Sequence, residues 1–565
     1  MVGWFETGAV SKGDIEALQP VWDYRRKGVR SKRGCRLWFL GPILLSIAGC
    51  TTVGPDFVTP TAPSSDAWID DDDPSFKLET EAQDYPKWWE TFDDPVLNSL
   101  VERAYEQNLT LQVAGLRILE SRALLGVAVG EQYPQNQNAV GSYRRVEISE
   151  NAANASFLDR DFGSLTLGVD TAWEIDFWGR FRRGVEYADA QLGATVASYD
   201  DLLVTLTAQV ATTYVLIREL EERLVLARRN VDLQRRTLDI ATVRFENGEV
   251  NELDVVQARA LLGDTRARIP ALESLLRQAK NALSVLLGQP PSKLRDIFGE
   301  PGKIPKAPEE IAIGIPTELL RRRPDIRNAE LQAAAQSARI GIAKANLYPR
   351  FTLGGFIGFN TSDNGGLQSN NADLGDLFKG GSFTGFIGPS FSWPILNYGR
   401  LANNVRAQDS RFQQLVINYQ DSVLRAYQEV EDGLVAFLKS QEVTRHLSGS
   451  VRASRRSAEL SLLQYREGLV DYTRVLDTQS FLVAQQDRQA ESRGAIARSL
   501  INTYKALGGG WETRDPSKAV PEAVQEDMQA RTNWGDLLPA GGLDEAPSSG
   551  EELRDKQKLF RKPDW

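Results

Sequence analysis

Histidine and cysteine are almost absent from this chain: one His (His446) and two Cys (Cys35 and Cys50) stand in 565 residues. Two cysteines cannot build a disulfide framework, and with a lone histidine they are too few for a zinc site. His446 sits by itself on a polar helical stretch, whereas acid–base and metal chemistry need clustered groups. No nucleophile–base–acid set is legible, nor a glycine-rich phosphate loop at a strand–helix junction. The sequence therefore predicts a protein that is no enzyme and needs no cofactor or metal. A basic excess is missing too: 66 Lys and Arg face 76 Asp and Glu, for a net charge of −10. That balance argues against a nucleic-acid partner, which requires a concentrated basic surface. Finally, no apolar run approaches the roughly 20 residues that a membrane-spanning helix needs.

The longest apolar run, Leu37 to Ala48, is preceded by a basic block from Arg25 to Arg36 and followed by small residues. That order is the grammar of a secretory signal. Ile47-Ala48-Gly49-Cys50 resembles a bacterial lipobox, in which the cysteine is acylated and becomes the new N-terminus. Cys50 is thus the candidate lipidation site, and Thr51, where no Asp stands, favours passage to the outer membrane. Residues 1–49 are expected to be a leader and signal peptide that is removed. Within them residues 1–24 carry Asp14, Glu16 and Asp23 and no apolar core, which makes a non-Met start such as Val29 one reading of the N-terminus. Residues 50–87, rich in Pro, Asp, Ser and Thr, read as a lipidated, extended tether. Residues 511–565 are acidic and polar without periodicity and are expected to form a disordered tail.

The body of the chain is duplicated, as a search for internal repeats reveals. Tyr133-Pro134 recurs as Tyr348-Pro349, Trp173 with Gly179-Arg180 as Trp393 with Gly399-Arg400, and Phe245-x-x-Gly248-x-Val250 as Tyr465-x-x-Gly468-x-Val470. The shift is 215 residues through Tyr-Pro and 220 from Gly-Arg onward, so the second copy gained five residues between them. The first repeat spans residues 88–298 (helix, two strands, long helix, helix), an equatorial linker 299–318, and the second repeat 319–510.

From Val196 to Phe245 apolar residues recur in alternating steps of three and four, with only Thr213 and Gln234 polar, and a weaker seam in the same register runs from Val416 to Tyr465. Sustained heptads of this kind mark a coiled coil. The long helix from about Phe181 to Glu246 would measure roughly 100 Å. Shorter helices, about Pro95 to Val129 and Asn251 to Leu287, would stack end to end beside it. Between the Tyr-Pro and Gly-Arg landmarks, segments such as Leu165 to Val169 and Phe351 to Phe356 alternate apolar with small or polar residues. Alternation suits strands with one face to lipid and one to a polar lumen. Each repeat supplies about two strands, and about four strands cannot close a barrel alone. An open edge in lipid leaves backbone groups unsatisfied, so several chains are expected to share one barrel.

These pieces resemble the outer-membrane efflux proteins (TolC-like, most like the lipidated OprM/NodT branch). The resemblance covers about Cys50 to Gly510. Its motifs are Cys50-Thr51-Thr52-Val53-Gly54-Pro55-Asp56-Phe57, Trp89-x-x-Phe92-x-Asp94-Pro95-x-Leu97, Leu319-Leu320-Arg321-Arg322-Arg323-Pro324-Asp325-Ile326, and Arg244-Phe245-x-x-Gly248 with Leu253-Asp254-Val255. It implies a mixed α and membrane-β fold, in which a long α-helical coiled-coil barrel joins a trimeric 12-stranded transmembrane β-barrel with four strands per chain. It implies the exit duct of a tripartite efflux pump of the resistance-nodulation-division (RND) type, exporting small molecules. The implied partners are a homotrimer, a periplasmic adaptor (membrane fusion) protein and an inner-membrane pump. The location would be the outer membrane, with a large periplasmic part. The duct of a type I protein-secretion system has the same fold and is the alternative; the lipobox favours efflux.

In this family the helix–helix turns at the periplasmic tip close the pore and receive the adaptor. Here those turns hold Gly248 and Val250, then Gly468, Leu469 and Val470. Asp477 matches an acidic ring at the narrowest point, and Asp254 and Tyr465 match positions that hold the tip shut. Arg474 departs from members with a second acidic ring and could pair with Asp477.

Overall fold

The computed structural model describes residues 52–538, apart from 64, 66, 70–75, 79–85, 152, 154–159, 293, 295, 300, 309–310, 314–321, 364–372 and 516–517. The leader, Cys50 and residues 539–565 lie outside the described residues. In chain order the elements are β1 (Phe76–Leu78), α1 (Pro95–Gln107), α2 (Leu109–Gly130), β2 (Asn136–Glu147), β3 (Asp161–Ile175), α3 (Arg180–Glu246) and α4 (Glu252–Leu286). Then come β4 (Ile311–Ile313), α5 (Pro324–Ala345), β5 (Arg350–Ser362), β6 (Phe383–Ser392), α6 (Arg400–Arg466), α7 (Tyr472–Ala506) and α8 (Glu522–Arg531).

The two long helices, α3 and α6, have 67 residues each, about 100 Å at 1.5 Å per residue. Heptad positions in the upper half of α3, such as Tyr199, Leu203, Val210 and Ile217, are fully buried. In α6 the same register buries Val430, Phe437, Ser454, Ala458, Ser461 and Tyr465. Serine and alanine there let α7 approach closely, and the Ser461 and Thr478 hydroxyls meet at 2.6 Å.

The single helix expected over residues 95–129 is two. Asp94 caps α1 by accepting from the Val96 and Leu97 amides, with Pro95 in the first turn. Asn108 then breaks the helix with extended backbone, and its side chain caps α2 by accepting from Leu111 N at 2.9 Å. The same side chain donates to the Leu286 carbonyl at 2.9 Å, joining the end of α4 to the α1–α2 joint. At the matching point of the second repeat, Arg323 Nη1 donates to the Ala506 carbonyl at 2.7 Å, joining α7 to α5.

Four antiparallel strands form one sheet in the order β2-β3-β5-β6. Its register puts Tyr143, Leu165 and Thr361 in one row, Val169 and Ile357 in another, and Phe351 and Phe391 in a third, all on one face. The opposite face carries Ser142, Thr166 and Asn360, then Asp170 with the stacked rings of Phe356 and Phe386, then Glu174, Thr352 and Ser390. β2 and β6 are edges with no further strand beside them among the described residues. A second, parallel pair, β1 with β4, lies in the sequence regions read as tether and equatorial linker.

Residues 511–538 depart from the expected disordered tail. Ala519, Val520, Met528 and Leu538 are buried, and Gly115 on α2 leaves a notch filled by the Ala519 carbonyl. Asp515 N donates to Tyr105 Oη at 2.8 Å, and Arg514 reaches both oxygens of the buried Asp200 at 2.8 and 3.0 Å. This segment docks through isolated side chains, so hydrophobic periodicity carries no trace of it. Among the described residues, no helix is long and apolar enough to cross a membrane.

Candidate functional site

Both far helical turns have the same construction. At the first, α3 ends at Glu246 and Gly248 adopts a left-handed φ of +74°. The Gly248 and Glu249 amides donate back to the Phe245 and Arg244 carbonyls, each at 2.9 Å. At the second, Gly468 has φ +73°, and the Gly468 and Leu469 amides donate to Tyr465 and Gln464 carbonyls at 3.0 and 2.9 Å. This pair of reversed bonds satisfies carbonyls that a helix end leaves open and needs a residue at ease with positive φ. Asn251 and Asp471 then cap α4 and α7 by accepting from Leu253 N and Arg474 N. Val250 and Val470 are half-buried against the tip core, while Leu469 projects into solvent, 73% exposed.

Behind the turns a small core joins the two helical hairpins: Ala241, Val255 and Ala258 from α3 and α4, with Tyr465, Tyr472 and Val475 from α6 and α7. Tyr465 is its centre. Its ring is 1% exposed and sits edge-on to Tyr472 at 5.5 Å. Its hydroxyl donates to Asp254 Oδ2 at 3.0 Å. Burial, then the Asp254 carboxylate, push this phenol well above its ordinary value, so it stays a donor. Burial does the same to Tyr472. Arg244 closes the arrangement from α3: its guanidinium lies 4.8 Å over the Tyr465 ring and donates both to the Tyr465 carbonyl and to Glu249.

The structure thus brings Asp254 and Tyr465 into direct contact and sets both turns beside them. Arg474 and Asp477 are one helical turn apart on an exposed part of α7, and among the described residues no ion pair joins them or ties either to another side chain. Arg474 stands in the first turn of α7, where the helix dipole disfavours a cation. Sequence reasoning does not single out Arg244 and Tyr472. Arg244 reads locally as a basic residue suiting a helix C-terminus, and its partner lies 221 residues away.

Above the tip the seam between α3 and α7 is polar. Arg223 holds Asp487 through two bonds of 2.8 and 3.0 Å, Asn230 holds Gln486 at 2.9 Å and Thr237 holds Gln479 at 3.0 Å. Gln234 is buried with no hydrogen-bond partner within the chain. Among the described residues no group of acidic, His or Cys side chains could hold a metal ion.

Known proteins share this architecture. The sequence model for outer membrane efflux protein matches residues 100–289 and 315–509. The chain is 31% identical over 481 residues to the solvent efflux pump outer membrane protein SrpC of Pseudomonas putida, covering 83% of this chain and 97% of that one. It is 30% identical over 429 residues to nodulation protein T of Rhizobium leguminosarum bv. trifolii, covering 75% and 88%. Among solved structures, the outer-membrane channel OprN superposes with a TM-score of 0.75 at 32% identity, covering 82% of this chain and all of that one (100%).

Proposed function

The chain belongs to the outer membrane efflux protein family, and we propose that three copies of it form the gated exit duct of a tripartite efflux pump. As in its relatives, the work is that of an outer-membrane component of an efflux pump, with strands in the membrane and helices in the periplasm. The observation that carries the trimer is the sheet: four strands, with β2 and β6 both open among the described residues. Backbone groups at an edge cannot stay unpaired in hydrocarbon. Two chains would make a barrel of about eight strands, whose interior side chains fill, whereas three make one of about twelve with room for a lumen.

Lipid anchoring at Cys50 is supported by the residues just beyond it. Val53 N donates to the Trp178 carbonyl at 3.0 Å, Thr52 lies over Gly179, and Arg183 holds Asp56 at 2.7 Å. The described start of the tether is therefore pinned where strands turn into helices.

The tips form the gate and the docking site. Tyr465, Asp254 and Arg244 lock the two hairpins together, and three Asp477 side chains would form an acidic ring that favours cations. Gly248, Val250, Gly468, Leu469 and Val470 offer the surface for a periplasmic adaptor, with an inner-membrane RND pump beyond it. The design is that of a conduit and not of an enzyme. Deleting the gene tests the whole reading. Hypersensitivity to small toxic molecules with normal protein export is expected, whereas lost protein export with unchanged sensitivity refutes it.

A further inference from the structure

The two repeats finish their strand segments alike, but only one finish is covered. Gly179 and Gly399 are both left-handed, at φ +78° and +79°, and each opens a 67-residue helix. The residue before the first is Trp178, and the chain uses it. Its indole stacks on Tyr348 at 4.6 Å and 24°, and its Nε1 donates to the Pro349 carbonyl at 2.8 Å. A strand–helix corner of repeat one is thereby seated on the Tyr-Pro corner of repeat two.

The residue before the second glycine is Tyr398. It is 97% exposed, beside Leu396 at 85% and Ile395 at 74%. Its backbone is held at φ +50°, a left-handed conformation that is strained for a non-glycine residue. A bulky aromatic held in that conformation and turned wholly outward gains nothing within its own chain.

The other contacts between repeats run one way too. Helix α3 of the first repeat packs on α5 and α7 of the second, and β3 pairs with β5. The reciprocal pairs, α6 with α2, α6 with α4 and β6 with β2, have no comparable packing among the described residues. A duplicated chain whose cross-repeat contacts are half used finds the other half on a neighbouring copy.

We infer that Tyr398 of one copy stacks on the Tyr133-Pro134 corner of the next, as Trp178 stacks on Tyr348-Pro349 within the chain. Tyr133 and Pro134 at the matching landmark are both half-buried, so each keeps surface that a neighbour can cover. The phenol hydroxyl takes the place of the indole N–H as donor to the proline carbonyl. Ile395 and Leu396 are covered by the same approach. This inference rests on the trimer proposed above and names the side chains that close it where strands meet helices. The competing occupant of so apolar a corner is the lipid interface.

Thiol cross-linking in membranes separates these cases. The full chain carries Cys35→Ser together with Tyr398→Cys and Tyr133→Cys, and a short bismaleimide is added. A ladder of covalent dimer and trimer on denaturing gels is expected, absent from either single variant. Trp178→Cys with Tyr348→Cys gives the reach control, since it should close only within one chain. If native mass shows a trimer but no ladder forms, the inference fails and the trimer stands. If Tyr398→Cys instead reacts with a lipid-soluble maleimide in the assembled protein, the corner faces lipid and the inference also fails. A monomeric native mass overturns both. As a second measure, Tyr398→Ala should lower the temperature at which the oligomer dissociates, while Tyr398→Trp should keep it.

Discussion

Replacing Tyr465 with phenylalanine removes one oxygen and leaves the ring in its pocket, edge-on to Tyr472 and 1% exposed. The apolar packing of the tip core therefore survives, and the loss is confined to the bond from Tyr465 Oη to Asp254 Oδ2 at 3.0 Å. A hydrogen bond to a charged group contributes about 1.5–3 kcal/mol. Asp254 is half-buried, so water can replace the lost donor and the lower figure applies. About 1.5 kcal/mol is roughly a tenfold change in an equilibrium constant per chain. Three tips opening together would multiply that to roughly a thousandfold. Single-channel recording in planar bilayers should show Tyr465→Phe open far more often than the parent, with only a small drop in the thermal midpoint. Asp254→Ala should do the same, and combining the two should add little, because both remove one link. A parent-like open fraction in Tyr465→Phe would refute the lock. The phenol is held above its ordinary value, so its donor persists as pH rises. Closure of the parent should accordingly not loosen as pH passes about 10, where a free tyrosine ionises.

Other parts of the molecule give three further outcomes. Asp477→Ala should lower cation over anion permeability and abolish block by trivalent cations in the same recordings, while Arg474→Ala should raise both; unchanged selectivity in each would remove the ring. Burial pushes the Asp200 carboxyl up to about 6 against the opposing pull of Arg514 and Arg327. Because the folded value lies above the ordinary one, its contribution to stability is whole below about pH 4 and lost as pH rises through about 6. The thermal midpoint of the parent should therefore fall relative to Asp200→Asn between those values, by at most about 3 kcal/mol in stability; a rise would refute it. Gly115→Ala puts a methyl group against the Ala519 carbonyl, an overpacking that costs about 1–3 kcal/mol. Limited proteolysis should cut residues 511–538 faster in that variant, and an unchanged pattern would show that the segment is not seated there.

Repetition makes much of this fold legible. Heptads from Val196 onward mark the long helices, and the paired Tyr-Pro and Gly-Arg landmarks frame the strands, because both signals recur at fixed spacing. The break at Asn108 escapes such reading because an asparagine amid Leu-rich sequence looks tolerable in a helix. What decides the break is its bond to Leu286, which no local window contains. The docked segment beyond Trp511 escapes for a related reason. It depends on a notch at Gly115 and a buried carboxylate at Asp200, neither adjacent in sequence to the group it receives. At the tip, Asp254 and Tyr465 emerge through resemblance, whereas Arg244 stands there only as a motif residue with no role attached, and Tyr472, against the same ring, is not singled out. Pairings across the two repeats lie beyond any periodic signal.

The distribution of polar groups explains why so small a lock could govern so long a duct. From the strands down to about Leu220, α3 is fixed by large buried side chains such as Tyr199, Leu203, Tyr214 and Ile217. Below that level the seam to α7 is built of Arg223–Asp487, Asn230–Gln486 and Thr237–Gln479, with Gln234 buried between them and unpaired within the chain. Parting the seam lets water take over each of these bonds, so it costs less than parting an apolar seam of the same length. An apolar cluster across the hairpins resumes at the tip, around Tyr465. Under the proposed gate, the lower part of α3 is then a lever of about 26 residues, about 40 Å long. A tilt of ~10° about its rigid upper end moves the tip by ~7 Å, enough to widen a constriction by the width of a side chain. The lever needs no hinge within a helix, because the weak element is the interface beside it.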